Sequence, residues 1–414
     1  MSEPSAQAPA PGRAAFLFIF ITVALDMLAL GVMIPVWPKL VMLMEGGDLT
    51  AAARMTGYSG LLWAAMQFFF QPVMGALSDK LGRRPIVLLS NLGMGLDYVL
   101  MALAPNLAWL FLGRALSGIT SASFSTASAY IADVTPADQR AAKFGMLGAA
   151  FGLGFVIGPA VGGVLGHIDL RLPFWVSAGL SLANFAYGFF ILPESLPVER
   201  RRTFRWQTAH PFGAIKRLGK DPVLRVLGAV AFFSALSHES LPNTFVLSST
   251  ARYGWTERDT GWALMVVGIV STVISGGVVR PLVRRLGERK ALYVGLVTGC
   301  VGFTIYGLAP YPWVFLMGIP VAGMWSVASP AMQASMSRRM DPSEQGALQG
   351  AVSSLRGMSG MLGPLVFTEV MARGIEITGS PQGAGASFLL SACLLILCAL
   401  LVGVAWRRAD EPAA

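Results

Sequence analysis

Residues 75–88, GALSDKLGRRPIVL, form a short charged segment between two long apolar runs. Four charged side chains fall within six positions: Asp79, Lys80, Arg83 and Arg84. Each charge placed at the centre of a bilayer costs about 3 kcal/mol. Gly75 and Gly82 bracket a turn, and Pro85 suits the first turn of the helix that follows, where its missing N–H is no loss. We name residues 75–88 the first hinge and predict that it lies at a membrane face.

The composition of the whole chain indicates an integral membrane protein. Of its 414 residues, 54% are hydrophobic and 13% are charged, and the mean hydropathy is +0.62, outside the range of soluble domains. The net charge of +9 does not indicate nucleic acid binding, because the basic residues lie in short loops between apolar runs.

Catalytic and metal-binding patterns are absent from the sequence. The three cysteines, at positions 300, 393 and 398, fall in apolar runs without metal-type spacing, and the three histidines are scattered. No P-loop, HExxH or GxSxG motif occurs. We therefore expect no enzymatic activity, no cofactor and no metal.

Apolar windows of about 20 residues, the length that spans a bilayer as a helix, recur along the chain. We predict an all-α integral membrane protein with twelve transmembrane helices at 14–37, 57–78, 85–104, 107–132, 143–166, 172–193, 222–249, 260–282, 290–309, 311–336, 346–371 and 384–406.

The distribution of Lys and Arg predicts the orientation of these spans. The connections on the face that holds the N-terminus contain 22 of the 31 basic residues, and those on the other face contain 6. Cytoplasmic loops retain positive residues, so both termini are expected to be cytoplasmic, which agrees with an even number of spans.

The two halves of the chain repeat. Residues 77–88 of the first hinge are matched by VRRLGERKALYV at 283–294, which we name the second hinge. Three pairs keep nearly one offset: Leu81-Gly82 with Leu286-Gly287 at 205, Gly158-Pro159 with Gly363-Pro364 at 205, and Pro136 with Pro342 at 206. A duplicated six-helix unit with both copies in the same orientation explains this register.

The repeat predicts two six-helix bundles joined by a linker. The expected divisions are a cytoplasmic tail at 1–13, bundles at 14–193 and 222–406, a cytoplasmic linker at 194–221 and a second tail at 407–414. Trp206 and the basic residues around it fit either a short helix on the anionic inner leaflet or a solvated loop.

Polar side chains inside predicted spans are candidate functional residues, because they are costly in hydrocarbon. Asp26 lies about twelve residues into the first span, and Asp97 lies at comparable depth in the third. Asp26 could transfer protons or simply fix helix packing. Arg114, deep in the fourth span, needs a carboxylate, and Asp26 is a plausible partner. Gln67 and Gln71 share one face of the second span.

The fourth span carries a strip of small polar residues. Arg114, Ser117, Ser121, Ser125 and Ser128 recur at spacings of 3, 4, 4 and 3, which places them on one face of a continuous helix. Such a strip suits the wall of a water-filled cavity, although serines also permit close helix packing.

The fifth span is unusually rich in glycine. Its sequence from 148 to 166 is GAAFGLGFVIGPAVGGVLG, which leaves a bare surface that another helix can approach closely. Pro159 permits a bend in the middle. We expect a tight sliding contact here.

The second half is polar at different places. His238 and Glu239 lie mid-span, just before Pro242 and Asn243. Further polar residues line faces of the tenth and eleventh spans: Ser326, Ser329, Gln333, Ser337, Gln349 and Arg356. We expect Glu239 and Arg356 to neutralise one another or another intramembrane charge. His238 is either a proton-handling group or a satisfied core imidazole.

Several of these motifs resemble the major facilitator superfamily. The first hinge resembles its loop-2/3 signature, LGRALSG around Arg114 its fourth-helix motif, and GLGFVIGPAVGG at 152–163 its antiporter signature. VALDMLALGVMIPVWPKL around Asp26 and LDYVLMALAP around Asp97 resemble the tetracycline-resistance branch of drug/proton antiporters.

The resemblance implies two bundles that rock about a central cavity lined by helices 1, 4, 7 and 10. Proton coupling would involve Asp26, Arg114 and Asp97. The substrate cavity would draw on Gln67, Gln71, Ser117, Ser121, Ser125, His238, Glu239, Asn243, Ser329, Gln333 and Arg356. The conformational latch would be Gly75, Asp79, Gly82, Arg83 and Arg84, and the antiporter motif Gly154, Gly158, Pro159, Gly162 and Gly163.

The sequence departs from that branch at two positions. Tetracycline exporters carry an acidic residue in helix nine, where this chain has Gly299, and a histidine in helix eight, where it has Ser271. Instead of these two groups, this chain has His238 and Glu239 in helix seven. Substrate recognition in the second half is therefore expected to differ.

We predict a proton-coupled exporter of a small amphipathic organic compound, acting as a monomer in the bilayer of a bacterial cell membrane. A proton symporter that takes up a metabolite is the alternative within transport. A non-transporting sensor, a membrane enzyme and a channel find less support, because soluble domains, cofactor motifs and a continuous pore pattern are missing from the sequence.

Overall fold

A computed structural model describes residues 13–121, 123–136, 138–201, 203, 221–341 and 344–410. Most of the predicted linker, including Trp206, lies outside these residues, as do residues 1–12 and 411–414. Secondary structure in the described part is helical, without β-strands.

The described residues form sixteen α-helices, which we number in chain order. They are α1 (Arg13–Met33), α2 (Trp37–Met44), α3 (Leu49–Leu81), α4 (Arg83–Leu103), α5 (Leu107–Thr120), α6 (Ser123–Val134), α7 (Arg140–Ile168), α8 (Leu172–Ile191), α9 (Pro222–His238), α10 (Ser240–Tyr253), α11 (Glu257–Val273), α12 (Val279–Leu308), α13 (Pro312–Gly323), α14 (Ala328–Ser337), α15 (Gln345–Thr378) and α16 (Ala386–Asp410).

Eight stretches of the described chain are long and apolar enough to cross a membrane. They are Phe16–Met44, Leu49–Leu81, Arg83–Leu103, Ala142–Ile168, Leu172–Ile191, Glu257–Leu308, Pro312–Ser337 and Pro381–Arg407. Seven of these stretches each coincide with one predicted span, and Glu257–Leu308 covers two predicted spans. The remaining three predicted spans correspond to the broken pairs α5–α6 and α9–α10 and to the more polar α15.

The prediction of a continuous helix over 107–132 is wrong, because the helix is interrupted at Ser121, which has φ −73° and ψ 66°. Hydroxyl groups compete here for the backbone carbonyls that would continue the helix. The Thr120 hydroxyl donates to the Leu116 carbonyl at 3.0 Å, and the Thr120 carbonyl accepts from the Ser90 hydroxyl on α4. The serine strip is thereby divided between α5 and α6.

A second predicted helix, 222–249, is broken at Glu239. Pro242 has no N–H with which to bond the carbonyl of His238. The Asn243 side chain donates to the neighbouring Glu239 carbonyl at 2.7 Å. This break places the polar pair His238 and Glu239 at the junction of α9 and α10.

The repeat is also visible in the hydrogen bonds that satisfy the backbone carbonyls at helix ends. Arg171 donates to two carbonyls at the end of α4, at 2.8 and 2.9 Å. Arg252 donates to carbonyls at the end of α12, including two at 3.1 and 2.7 Å. The acceptors Ala102 and Ala104 are related to Gly307 and Ala309 by the same offset of 205.

The largest apolar core contains residues from Val223 to Ala405, and two further cores contain residues from Phe16 to Leu192. The two halves of the chain meet mainly through two helix pairs, α3 with α15 and α7 with α11. Small residues line both contacts, as expected where helices approach closely.

Candidate transport site

Arg114 and Asp97 form a buried ion pair in the first half. Arg114 Nη2 lies 3.3 Å from Asp97 Oδ2, and the guanidinium carbon lies 4.9 Å from the centre of the Trp37 ring. The exposed fractions are 6% for Arg114 and 1% for Asp97. A guanidinium this deep is stabilised by a counter-charge and by the face of an aromatic ring.

Asp26 takes a different partner from the one expected. Its Oδ1 accepts a hydrogen bond from Asn184 Nδ2 on α8 at 3.0 Å, and the same amide donates to the Thr22 carbonyl at 3.2 Å. Asp26 is 1% exposed. By sequence Asp26 is a plausible partner of Arg114, whereas the ion pair at 3.3 Å joins Arg114 to Asp97.

The remaining polar candidates of the first half lie around the break between α5 and α6. Gln67 Nε2 donates to Ser121 Oγ at 3.0 Å. Ser117 is buried, Ser125 is half-buried, and Gln71 is exposed. Gln67 and Ser121 therefore contact one another, as candidates for one site should.

The glycines of α7 form two contact surfaces. Gly154, Gly158 and Gly162 face α1, where an added Cβ at Gly158 would lie 2.6 Å from the Gly31 Cα atom and one at Gly162 would overlap the Val32 carbonyl. Gly163 and the carbonyl of Pro159 instead face Gly261 of α11. Helix α7 thus packs tightly on two sides. One side contacts α1 of its own half, and the other contacts α11 of the other half.

Ion pairs join the two halves at the end of α3 that is farther from the first hinge. Lys39 Nζ lies 3.1 Å from Glu257 Oε1 and donates to the Trp255 carbonyl at 2.8 Å. Arg54 lies 3.0 Å from Glu369 and 2.9 Å from Glu376. These pairs close the molecule at that end.

The same helices separate toward the end that holds both hinges. Added Cβ atoms would meet no described atom within 4 Å at Gly75, Gly145, Gly148, Gly276, Gly277 and Gly346. Among the described residues, the ion pairs near the hinges stay within one half: Arg83 with Asp79 and Asp133, Arg338 with Glu288, and Arg339 with Asp221. The molecule is therefore open at its hinge end.

The first hinge is held by three carboxylates. Arg83 contacts Asp79 at 2.5 Å and Asp133 at 3.0 Å. Glu194 accepts from the backbone N–H of Arg83 at 2.8 Å and of Arg84 at 3.2 Å. These N–H groups begin α4, where a negative charge is favoured.

Gly82 makes the approach of Glu194 possible. Its φ of 111° and ψ of 164° lie in a region that favours glycine. A Cβ at this position would also overlap the Glu194 carboxylate. The predicted latch residues Asp79, Gly82, Arg83 and Arg84 thus share one network, whereas Gly75 stands apart from it.

The second half contains a cavity of about 460 Å³. It is lined by five of the predicted residues: His238, Glu239, Ser329, Gln333 and Arg356. Asn243 and the first-half candidates Gln67, Gln71, Ser117, Ser121 and Ser125 are not among the described residues that line it. The polar candidates of the sequence therefore separate into a buried cluster in the first half and a cavity in the second.

One irregular helix segment contributes to the wall of this cavity, and a second lies beside it. A π-helix covers Ile274–Val278 and a 3₁₀ segment covers Met324–Val327. They meet at Gly323, where an added Cβ would lie 2.9 Å from Ile274 Cδ1. Irregular turns of this kind frequently occur at functional sites, and the 3₁₀ segment here carries Trp325 into the cavity wall.

The two departures from the tetracycline-resistance pattern both lie at this cavity. Ser271 lines it directly. Gly299 lies behind Trp325, and an added Cβ would stand 2.9 Å from Trp325 Cγ. Trp325 thus occupies the space into which any side chain at position 299 would extend.

Several residues were missed by sequence reasoning. Asn184 is an amide inside an apolar helix, so the criterion that found Asp26 also applies to it. The aromatic residues of the cavity, Phe303, Tyr306 and Trp325, gave no signal, since aromatic residues are common in any membrane helix. Glu194 was treated as the first residue of a linker.

Comparison with known proteins agrees with this geometry. Residues 17–364 and 227–414 match the family described as Major Facilitator Superfamily. The chain belongs to the major facilitator superfamily. It is a multi-pass membrane transporter, and transporters of this kind are not enzymes.

Curated relatives of this superfamily member include tetracycline resistance proteins. The class C protein of Escherichia coli is 34% identical over 402 residues, 96% of this chain and 98% of that protein. The class B protein of Escherichia coli is 34% identical over 366 residues, 85% of this chain and 87% of that protein. These similarities confirm the predicted resemblance.

A solved structure shares the fold at low identity. The nucleoside transporter NupG is 14% identical with a TM-score of 0.78, covering 95% of this chain and 99% of that chain. An identity this low supports the major facilitator fold alone.

Proposed function

We propose that this protein exports a small amphipathic organic compound in exchange for protons, by alternating access. The observation that carries the proposal is the buried carboxylate Asp26, 1% exposed and hydrogen-bonded to the neutral amide of Asn184. An amide donor can serve either protonation state of a carboxyl group. A group of this kind can gain a proton from one side of the membrane and lose it to the other.

The proposed architecture has twelve spans in two six-helix bundles, at 14–193 and 222–406, joined by a cytoplasmic linker. Glu257–Leu308 contains 52 residues, which extend about 78 Å as a helix, more than twice the roughly 30 Å of hydrocarbon. Gly287, with φ 74° and ψ 164°, divides this stretch into two spans. The excess of basic residues on the hinge face favours cytoplasmic termini, and we propose a monomer.

The contacts between the halves suggest the direction of opening. The ion pairs of Lys39 with Glu257 and of Arg54 with Glu369 close one end, and the hinge end is open. If the hinges are cytoplasmic, this is the state that receives a substrate from the cytoplasm. Export then requires these pairs to break as the hinge end closes.

Binding of a proton to Asp26 would favour one of the two cavity orientations, and release of that proton would favour the other. The buried ion pair of Asp97 with Arg114 lies in the same half, so a change of charge at Asp26 alters the field that this pair experiences. A membrane potential of 100 mV contributes about 2.3 kcal/mol for each proton that crosses. This energy suffices to shift an equilibrium between states that differ by a few kcal/mol.

The experiment begins with the substrate, for which tetracycline is the first probe because of the relatives. Cells without other efflux pumps, with and without this protein, are challenged with tetracycline and other amphipathic antibacterial compounds. We expect resistance to at least one compound, and we expect a protonophore to remove it. Asp26→Asn should abolish accumulation of that compound in inverted vesicles with an imposed pH gradient, because residue 26 can no longer exchange a proton.

Asp48→Asn is the matched control. Asp48 is an exposed helix cap on α3, so its replacement should leave transport close to the wild-type rate. Proton-driven accumulation that survives in the Asp26→Asn protein would refute the coupling role of Asp26. Flux that runs inward along with protons would indicate a symporter instead.

A further inference from the structure

Two of the arginines that lie inside predicted membrane spans, Arg114 and Arg356, have different surroundings. Arg114 is 6% exposed and pairs with Asp97. Arg356, in the middle of α15, is exposed and lines the cavity of the second half. No carboxylate of the described residues lies within 4.0 Å of its guanidinium group. An intramembrane guanidinium strongly favours an anionic partner.

Glu239 does not serve as that partner, although it lines the same cavity. The Asn243 side chain donates to Glu239 Oε2 at 3.3 Å. The methylene groups of Glu239 lie against Gly363 of α15, where an added Cβ would overlap them. The carboxylate is thus held at the break between α9 and α10, and no ion pair within 4.0 Å joins Glu239 to Arg356 in the described part of the chain.

Flat aromatic side chains form one wall of the cavity. The Trp325 ring centre lies 5.6 Å from that of His238 and 5.9 Å from that of Phe303. Phe303 in turn lies 6.0 Å from Tyr306. Gly299 leaves the room that Trp325 needs. Aromatic faces of this kind bind flat rings by offset or edge contacts.

We propose that Arg356 binds an anionic group of the substrate while the wall of Trp325 and Phe303 binds its rings. The substrate class is then an organic anion or zwitterion with a flat ring system. The cavity volume of about 460 Å³ lies within the range that holds drug-sized ligands. The inference depends on the proposed export function in one respect: it assumes that this cavity is the substrate site.

The test uses two dyes that share one ring scaffold and differ in charge, fluorescein as the anion and rhodamine 123 as the cation. Binding to the purified full-length protein in detergent is measured by fluorescence anisotropy without a proton gradient. The wild type should bind fluorescein more tightly than rhodamine 123. Arg356→Gln should weaken fluorescein binding by about tenfold or more, the usual loss of a charge-assisted contact, and leave rhodamine 123 binding unchanged or tighter.

Three further variants separate charge from packing. Arg356→Lys should restore part of the fluorescein affinity, because it keeps the charge and loses the fork geometry. Trp325→Leu should weaken both dyes to a similar extent. Arg225→Gln, in the same half but outside the cavity lining, should change neither.

The proposal would be overturned by equal loss of both dyes in Arg356→Gln, by unchanged fluorescein binding in that variant, or by no fluorescein binding to the wild type. Tight rhodamine 123 binding that depends on Glu239, measured with Glu239→Gln, would assign the cavity to organic cations. Because binding is measured without a gradient, this result is independent of the Asp26→Asn test. Either proposal can therefore fail while the other stands.

Discussion

The two hinges have the same backbone and very different surroundings. Gly82 has φ 111° and ψ 164°, and Gly287, at the offset of 205, has φ 74° and ψ 164°. An added Cβ at Gly82 would overlap the Glu194 carboxylate, whereas one at Gly287 would meet no described atom within 4 Å. The turn is thus common to both halves, whereas among the described residues a carboxylate lies against the turn glycine only in the first hinge.

This difference separates what the fold needs from what the mechanism needs. A turn with a positive φ reverses the chain between two membrane helices, so a duplicated unit retains it in both copies. The contacts of Asp79, Asp133 and Glu194 with Arg83 and its neighbours are not needed for reversal, since Gly287 makes a similar turn with no described carboxylate against it. We infer that they control how the hinge end opens and closes.

The largest effect is expected from the charge at position 79 and its counterpart. Asp79→Asn removes the negative charge from the 2.5 Å contact with Arg83 and should reduce transport by about tenfold or more, if that charge-assisted bond acts during each cycle. Arg284→Gln changes the residue that occupies the matching position, which is exposed, and should alter transport little. Transport rates in vesicles, corrected for protein content, measure both.

The reverse ranking would contradict the assignment of the latch to the first hinge. A loss of Asp79→Asn protein from the membrane would indicate a structural role instead. For that reason the amount of inserted protein and its thermal unfolding temperature are recorded for both variants.

The sequence predicted features that depend on local requirements. The hinges were predictable because their charged side chains cannot lie in the hydrocarbon core of a bilayer and because their turns require glycine. His238, Glu239 and Arg356 were found for a related reason, since each is costly alone in a span. Their assembly around one cavity follows from that cost, because costly polar groups gather where water or a ligand can reach them.

The sequence did not predict which neighbours those groups take. Asp26 and Asp97 lie at similar depth in their helices, so depth alone could not decide which of them pairs with Arg114. The choice depends on how each helix is rotated about its axis, which packing determines. The break at Ser121 was missed for a similar reason, because it depends on the Ser90 hydroxyl of a different helix.

An intermediate effect is expected from the glycines of the two hinges. Alanine at either position costs about 1–3 kcal/mol, because this combination of φ and ψ is essentially restricted to glycine. Gly82→Ala must also displace Glu194, whereas Gly287→Ala meets open space. The Gly82→Ala protein should therefore unfold at a lower temperature than the Gly287→Ala protein and transport more slowly, as measured by tryptophan fluorescence on heating and by vesicle uptake. Equal losses in the two variants would show that the surroundings of Gly82 contribute nothing beyond its backbone conformation.

The smallest effect is expected from neutralising Glu194 or Glu288, the glutamates that contact groups of the two hinges. Glu194 accepts four backbone N–H groups, from Arg83, Arg84, Ser195 and Leu196. Glu194→Gln keeps the shape of the side chain and loses the charge at the start of α4, which should cost about 1 kcal/mol and lower the unfolding temperature slightly. Glu288→Gln is the matched control, because the partners of Glu288 among the described residues are the 77% exposed side chain of Arg338 and a weak contact from Ser335. Exposed pairs contribute little, so this variant should unfold like the wild type. An unfolding temperature that falls as far in Glu288→Gln as in Glu194→Gln would mean that both hinges are held alike, and the contrast between them would then lie in the charge of residue 79 alone.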